Sequence, residues 1–419
     1  MTPAARLQAT IEILEGLAGT AVPADRFVRE FFRARRYAGS KDRAAVAERV
    51  FNVFRHRASF AWRLQGADPR RLVIGSLVAE GSPADEIARL FDGSHYAPAP
   101  LSDDERRAIA APPVGEPPLP ARGEFPPFLE PELRRAFGDD LLAEMQALQA
   151  RAAIDLRTNA LKTTRENLAA ALAAEGFEAE PAPWSPVGLR LASGHAPAKL
   201  SASAQFASGA FEFQDESAQI SALLCAAEPG MRVLDFAAGA GGKSLALAAA
   251  MGNKGEIVAH DIDPGRLSML GPRARRAGAT IIATTTNPPS GTFDIVLLDA
   301  PCSGTGTWRR QPEQRWRLTP ERLAELTALQ DRLLEQAVPH VRAGGRLIYA
   351  TCSILPCEDD DRIADFLGRN ADFEPVSAAE VWRTETAIDP PPGLDRVFRA
   401  TPLKSGSDGF YTAILQRRR

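Results

Sequence analysis

The chain has 419 residues, 45% of them hydrophobic and 25% charged, with a formal net charge of −3. That length predicts two or three domains, and the balance is that of a globular protein rather than a disordered or fibrous one. No apolar run is long enough to span a membrane and the first residues lack the basic head and apolar core of a signal peptide, so a soluble cytoplasmic protein is expected.

Residues 1–95 read as helical. Val46, Val50, Val53, Phe54 and Ala61 recur at helical spacing, with Arg43, Arg49, Arg55 and Arg57 between them. From Arg26 to Arg63 there are 11 Lys/Arg against 3 acids (Glu30, Asp42 and Glu48), so 11 − 3 = +8 in one short segment. A basic patch on a near-neutral chain is an electrostatic footprint for phosphates; a solvated helix face is the plainer alternative. Residues 96–127 are dense in proline and read as a linker.

Residues 128–205 read as a small α+β unit, with strands at AIDLRTNALKT and GLRLA and a helix at TRENLAAALAA. From 206 to 419 the pattern changes. RVLDFAA, GEIVAHDID, FDIVLLDA and GRLIYATC are short apolar runs separated by helical segments. That alternation predicts an α/β domain with a Rossmann-like, doubly wound, mostly parallel sheet. Ligands of such sheets bind at the carboxyl ends of the strands, where each candidate residue below lies.

The first strand runs into Ala237, Ala238, Gly239, Ala240, Gly241 and Gly242, followed by Lys243 and Ser244. Glycines let the backbone approach a ligand, and the helix start that follows attracts an anionic group. The loop is not a Walker loop, because position 238 is Ala. The second strand ends at Asp261, 26 residues after Asp235, with Asp263 as its neighbour. A carboxylate there can accept both ribose hydroxyls of an adenosine; capping a helix is the alternative. NAD and S-adenosylmethionine share these features. Asn287-Pro288-Pro289-Ser290 reads as a turn.

The most specific segments come next. One strand delivers Asp299 and, three residues on, Cys302 onto the loop Cys-Ser-Gly-Thr-Gly; another delivers Cys352 in Tyr-Ala-Thr-Cys-Ser. Adjacent parallel strands would bring two thiols and a carboxylate into one cleft. The other cysteines are Cys225, in an apolar helical run and read as core, and Cys357, which is unassigned. The four form no CxxC pair and no Cys/His cluster with zinc spacing, so no metal is expected. Trp308, Arg309, Arg310, Arg315, Trp316 and Arg317 interleave aromatics and cations just after Cys302, which suits base stacking and phosphate contact beside the site; the alternative is a loop with buried tryptophans.

DAPCSGTG followed by YATCS, with VLDFAAGAGGKS ahead of them, resembles the RsmB/Sun (NOL/NOP/Sun) family of RNA cytosine-5 methyltransferases. FQDESAQI at 213–220 and DGFYTAIL at 408–415 match further family elements, so the likeness is strong from about 206 to 419. The basic helical segment resembles the NusB-like RNA-binding domain of RsmB-type members. The resemblance implies S-adenosylmethionine as cofactor, RNA as partner and ribosomal RNA of the small subunit as substrate, with transfer RNA as the second choice. It assigns the nucleophile to Cys352 and release of the covalent adduct to Cys302. Asp299 would bond the base edge and border the cofactor, and Lys243 would orient Asp299 or the base. Carbon 5 of cytosine is a poor nucleophile, and a thiolate added to carbon 6 makes it electron-rich.

Two positions depart from the family. Ala237-Ala238-Gly239-Ala240 stands where Cys-Ala-Ala-Pro is usual, and the third strand ends in ATTTN, leaving Thr286 or Asn287 in place of an acid near the adenine. Nothing points to an obligate oligomer, so a monomer is expected. A non-catalytic ribosome-assembly factor on the same fold is the non-enzyme alternative. A nicotinamide oxidoreductase would leave both cysteine motifs unexplained.

Overall fold

The computed structural model describes residues 1–192 and 197–419. The chain divides into two compact units, Met1–Ala150 with Trp308–Leu318, and Arg151–Thr307 with Thr319–Arg419.

The first unit is helical. Thr2 starts the helix Pro3–Ala18 by accepting from the Ala5 N–H at 3.1 Å, and Pro3 takes the first helical position, where its missing N–H costs nothing. Asp68 caps Pro69–Ala79 in the same way, accepting from the Arg71 N–H at 3.0 Å. The core contains Ile13, Val50, Val53, Leu64, Val73, Ile74 and Ile87, all 0% exposed. The proline-rich stretch 96–127, expected to be a linker, contributes to this unit. It contains the helices Asp103–Ala110 and Leu119–Gly123 and buries Leu101, Ala108, Ile109 and Phe125. Its prolines allow this because several lie at or before a helix's first turn, and Ser102 and Glu105 cap each other's backbone N–H groups.

Residues 308–318 also belong to this unit, which corrects their reading as a stacking platform. Trp308 and Arg315 are fully buried. The Arg315 guanidinium lies 4.7 Å from the Trp308 ring centre and donates to the Leu148 carbonyl. Trp316 Nε1 donates to the Phe54 carbonyl at 2.7 Å, and Glu313 accepts from the Ala24 N–H. An indole and a guanidinium buried in this way are not available to a base. In the basic segment, Arg26, Arg29, Arg35 and Arg49 pair with Glu30, Asp25, Glu12 and Glu80. Arg33, Arg36 and Lys41 remain exposed.

The second unit carries two sheets. The smaller is antiparallel and is built from β1 (Asp155–Thr158), β2 (Ala179–Pro181), β3 (Gly188–Leu191) and β4 (Phe211–Phe213), in the order β2-β3-β1-β4. The helix Arg165–Ala174 packs on it through Leu168 and Leu172, against Leu156, Leu189 and Phe211. The larger sheet uses β5 (Arg232–Asp235), β6 (Glu256–His260), β7 (Ile282–Thr285), β8 (Phe293–Asp299), β9 (Val341–Thr351), β10 (Phe373–Val376), β11 (Phe398–Ala400) and β12 (Phe410–Arg417). Its order is β10-β12-β9-β8-β5-β6-β7, with β11 pairing β12. β7, β6, β5, β8 and β9 run parallel, and β12 joins β9 antiparallel. Covered on both faces, the central strands are apolar throughout, as in Leu347, Ile348, Tyr349 and Ala350, each 0% exposed. The order reverses between β5 and β8, since β6 and β7 lie to one side and β9 to the other. A crevice opens at the carboxyl ends of the strands at such a switch point.

Candidate active site

A cavity of about 710 Å³ occupies that crevice. One end is the β5 loop. Ala237, Ala238, Gly239, Ala240 and Gly242 line it, while Gly241 lies beneath and shapes it. Gly241 has φ +77°, and a Cβ there would come within 2.1 Å of Leu270 Cδ1, so any side chain there is strained and must displace Leu270. Asp235 at the end of β5 is buried. Its Oδ2 accepts from Ser244 Oγ at 2.6 Å, its Oδ1 has no partner among the described residues, and burial pushes the carboxyl up to about 6.

Asp261 follows β6. Its Oδ2 accepts from the Gly239 N–H and its Oδ1 from the Asp263 N–H, both at 2.8 Å. Each oxygen keeps one acceptor site, enough for two ribose hydroxyls. The helix cap is Asp263, whose side chain accepts from the Gly265 and Arg266 N–H groups. Asn287 is misplaced by the sequence reading. It is exposed and does not line the cavity, because its N–H bonds the Thr285 side chain at 3.1 Å and turns the chain away at the end of β7.

Asp299, Lys243 and two cysteines sit at the other end. Asp299 ends β8, and its Oδ2 is 2.6 Å from Lys243 Nζ. Lys243 is 7% exposed and its ammonium lies 4.8 Å from the Phe410 ring centre, over a face that attracts cations. Register pairs Asp299 with Ala350 across β8 and β9, so Cys302 and Cys352 leave the sheet side by side. Their sulfurs are 3.3 Å apart and both line the cavity. The Cys302 thiol is pushed well above its ordinary range by the Cys352 sulfur, by burial and by the Glu358 carboxylate. The two loops are zipped together: the Gly306 N–H donates to the Cys352 carbonyl at 2.9 Å, and the Ile354 N–H to Thr305 Oγ1 at 3.0 Å. Gly306 is required here, since a Cβ would come within 2.1 Å of the Gly409 carbonyl oxygen. Cys225 is core, with its thiol pushed up to about 12 by burial, and Cys357 does not line the cavity.

Several residues in or beside the cavity were not singled out by the sequence reading. Ile262 lines the cavity and is 86% exposed, an apolar face beside a ribose-type carboxylate. The signal was an isoleucine between two loop aspartates. Gln214 and His260 also line it. Arg157, on β1 of the small sheet, donates to the Gly242 carbonyl at 2.7 Å and to Gln214, tying that sheet to the loop. Glu358 bonds both cysteine loops and gave no signal within its run of acids.

The cavity fits an adenosine-bearing sulfonium. It offers a backbone cradle at 237–242, a carboxylate with free acceptor sites, an exposed apolar face and the orphan Asp235 Oδ1. Among the described residues no cluster of three or more His, Cys, Asp or Glu could hold a metal ion, and no helix is long and apolar enough to cross a membrane.

Comparisons with known proteins agree. Residues 222–416 match the family described as 16S rRNA methyltransferase RsmB/F, and residues 125–197 match its ferredoxin-like domain. A probable ribosomal RNA small subunit methyltransferase B from Synechocystis sp. is 35% identical over 307 residues, covering 70% of this chain and 67% of that protein. Among solved structures, PH0851 superposes with a TM-score of 0.77 at 24% identity, covering 100% of this chain and 99% of that one, which carries the fold. A methyltransferase homolog from Pyrococcus horikoshii has a TM-score of 0.60 at 26% identity, covering 71% and 97%. A doubly wound sheet with this cofactor-shaped crevice, and kinship over two thirds of a relative's length, lead to one assignment: the chain belongs to the RsmB/F family and is an S-adenosylmethionine-dependent RNA methyltransferase.

Proposed function

We propose that this enzyme methylates carbon 5 of a cytosine in small-subunit ribosomal RNA through a covalent adduct between Cys352 and carbon 6 of the base. The observation that carries the reading is the pair of sulfurs 3.3 Å apart beside the Lys243–Asp299 pair. Bound S-adenosylmethionine supplies an electrophilic methyl group. The Cys352 thiolate forms the bond to carbon 6, which places electron density on carbon 5. Asp299, fixed by Lys243, takes the base edge by accepting from the amino group and from ring nitrogen 3 once that nitrogen is protonated. After methyl transfer a water takes the carbon 5 proton, the C–H electron pair re-forms the carbon 5–carbon 6 double bond, and the sulfur–carbon 6 bond breaks with its electron pair returning to Cys352. Cys302, kept as a thiol, stands where it can protonate that departing sulfur. Asp261, Ile262 and the 237–242 backbone hold the cofactor.

The ribosomal substrate is favoured by the name of the Synechocystis relative. The helical unit would take the RNA backbone, with Arg33, Arg36 and Lys41 exposed for phosphate contact. On this reading the enzyme meets its RNA in the cytoplasm.

Bisulfite sequencing of total RNA from cells with and without the gene tests the reading. One small-subunit cytosine should lose protection on deletion and regain it with wild type but not with Cys352→Ala. Loss at a transfer RNA position would change the substrate and keep the chemistry. No change at any cytosine would overturn the cytosine-5 reading.

A further inference from the structure

Glu358 lies in the turn Pro356–Glu358 after the Cys352 loop and is 0% exposed. Its Oε1 accepts from the Ser303 N–H at 2.8 Å and from Gln330 Nε2 at 3.0 Å. Its Oε2 accepts from Ser353 Oγ at 2.6 Å and from Ser303 Oγ. Ser303 directly follows Cys302, and Ser353 directly follows Cys352. One carboxylate therefore holds the residue after each thiol. The clamp extends in both directions. Gln330 Nε2 also donates to the carbonyl of Pro301, the residue before Cys302, at 3.0 Å. Thr351, the residue before Cys352, donates through Oγ1 to Asp359 at 2.6 Å. The Tyr349 hydroxyl fixes the turn itself by donating to the Glu358 carbonyl at 2.7 Å.

A buried carboxylate is costly unless its lone pairs are used, and here each oxygen accepts two bonds. What they achieve is geometric. Two loops from different strands, 50 residues apart in sequence, are fixed with their sulfurs in contact.

We propose that Glu358 is a positioning residue for methyl transfer: by bonding Ser303 and Ser353 with one carboxylate, it holds the Cys302 and Cys352 sulfurs as a working pair. The proposal rests on the two-cysteine reading above. The proximity of its charge also helps keep Cys302 a thiol, second to the effects of the Cys352 sulfur and of burial.

The test uses the full chain and two readouts. The first is the rate of the Cys302–Cys352 cross-link driven by diamide without RNA, mapped by mass spectrometry. There the two thiols give up two protons and two electrons to the diazene, which becomes a hydrazine. The second is steady-state methylation together with trapping of the adduct on RNA carrying 5-fluorocytosine. Glu358→Gln keeps one acceptor but turns an amide toward the two hydroxyls. It should slow the cross-link and lower kcat at least tenfold, with KM for RNA and S-adenosylmethionine affinity within about twofold of wild type. Glu358→Ala should be worse than Glu358→Gln. Ser303→Ala with Ser353→Ala, which leaves the acid in place, should move both readouts the same way. A Glu358→Gln enzyme that binds cofactor normally and cross-links and turns over at wild-type rates would overturn the proposal. So would a loss confined to KM or to thermal stability. Wild type that methylates without a trappable adduct would overturn the covalent reading, and the RNA-free cross-link would still decide on Glu358.

Discussion

Lys243 Nζ lies 2.6 Å from Asp299 Oδ2, a pair joining the helix Gly242–Ala250 to the end of β8. The ammonium is nearly buried, while the carboxylate opens to the cavity. Asp299→Asn keeps the shape and loses the charge that pairs with the lysine and, in the proposed mechanism, takes the base edge. We expect kcat to fall by about 10²- to 10⁴-fold, the range for a positioned acid–base group. Cofactor affinity, read by calorimetry, should change little. An enzyme retaining most of its kcat would remove Asp299 from the chemistry.

The two thiols should fail differently. Cys352→Ala should give neither methylated RNA nor an adduct. Cys302→Ala should still form the adduct but release it slowly, so denaturing gels should show a protein–RNA band without any trapping base. A band from Cys352→Ala and none from Cys302→Ala would exchange the two roles.

Cofactor binding separates Asp261 from Asn287. Asp261→Ala removes an acceptor aimed into the cavity and should weaken S-adenosylmethionine by about 10- to 100-fold, matching the 1.5–3 kcal/mol of hydrogen bonds to a charged group. Asn287→Ala should leave the affinity unchanged, because that side chain is outside the cavity. Equal losses at both positions would restore Asn287 as an adenine contact.

Gly241→Ala should fold poorly or bind no cofactor. The left-handed backbone costs an ordinary residue about 1–2 kcal/mol, and the overlap with Leu270 adds to it. Thermal unfolding should report at least about 2 kcal/mol. A stable variant with normal affinity would show that the loop can relax.

Glu124 gives the helical unit a pH dependence. Its carboxylate accepts from the Ala58 and Ser59 N–H groups, at 2.8 and 3.1 Å, yet burial pushes its pKa up to about 7. A pKa raised on folding means that the protonated form is favoured in the native state. The contribution is full below about 4.5 and is lost as pH rises through about 7, on the order of 3 kcal/mol in all. Glu124→Gln should abolish that part of the stability–pH slope. Denaturant melts of both proteins from pH 4 to 8 would show it as their difference, and parallel curves would refute it.

Local pattern was enough for much of this protein. Each apolar run followed by a small-residue loop or a Cys carries its own strand end, so the parallel sheet and Asp235, Asp261, Asp299, Cys302 and Cys352 at its carboxyl edge were legible in sequence. Strand periodicity and turn chemistry act over a few residues and need no partner. The remainder depended on which elements became neighbours. That β8 lies beside β9 set the 3.3 Å between sulfurs 50 residues apart. The same long-range packing drew Trp308 and Arg315 into the helical core and gave Glu358, one acid in the run Glu358-Asp359-Asp360-Asp361, its bonds to both cysteine loops. Sequence fixes where a side chain sits on its own element, but the distance between two elements is a property of the packed sheet and exists only once the chain has folded.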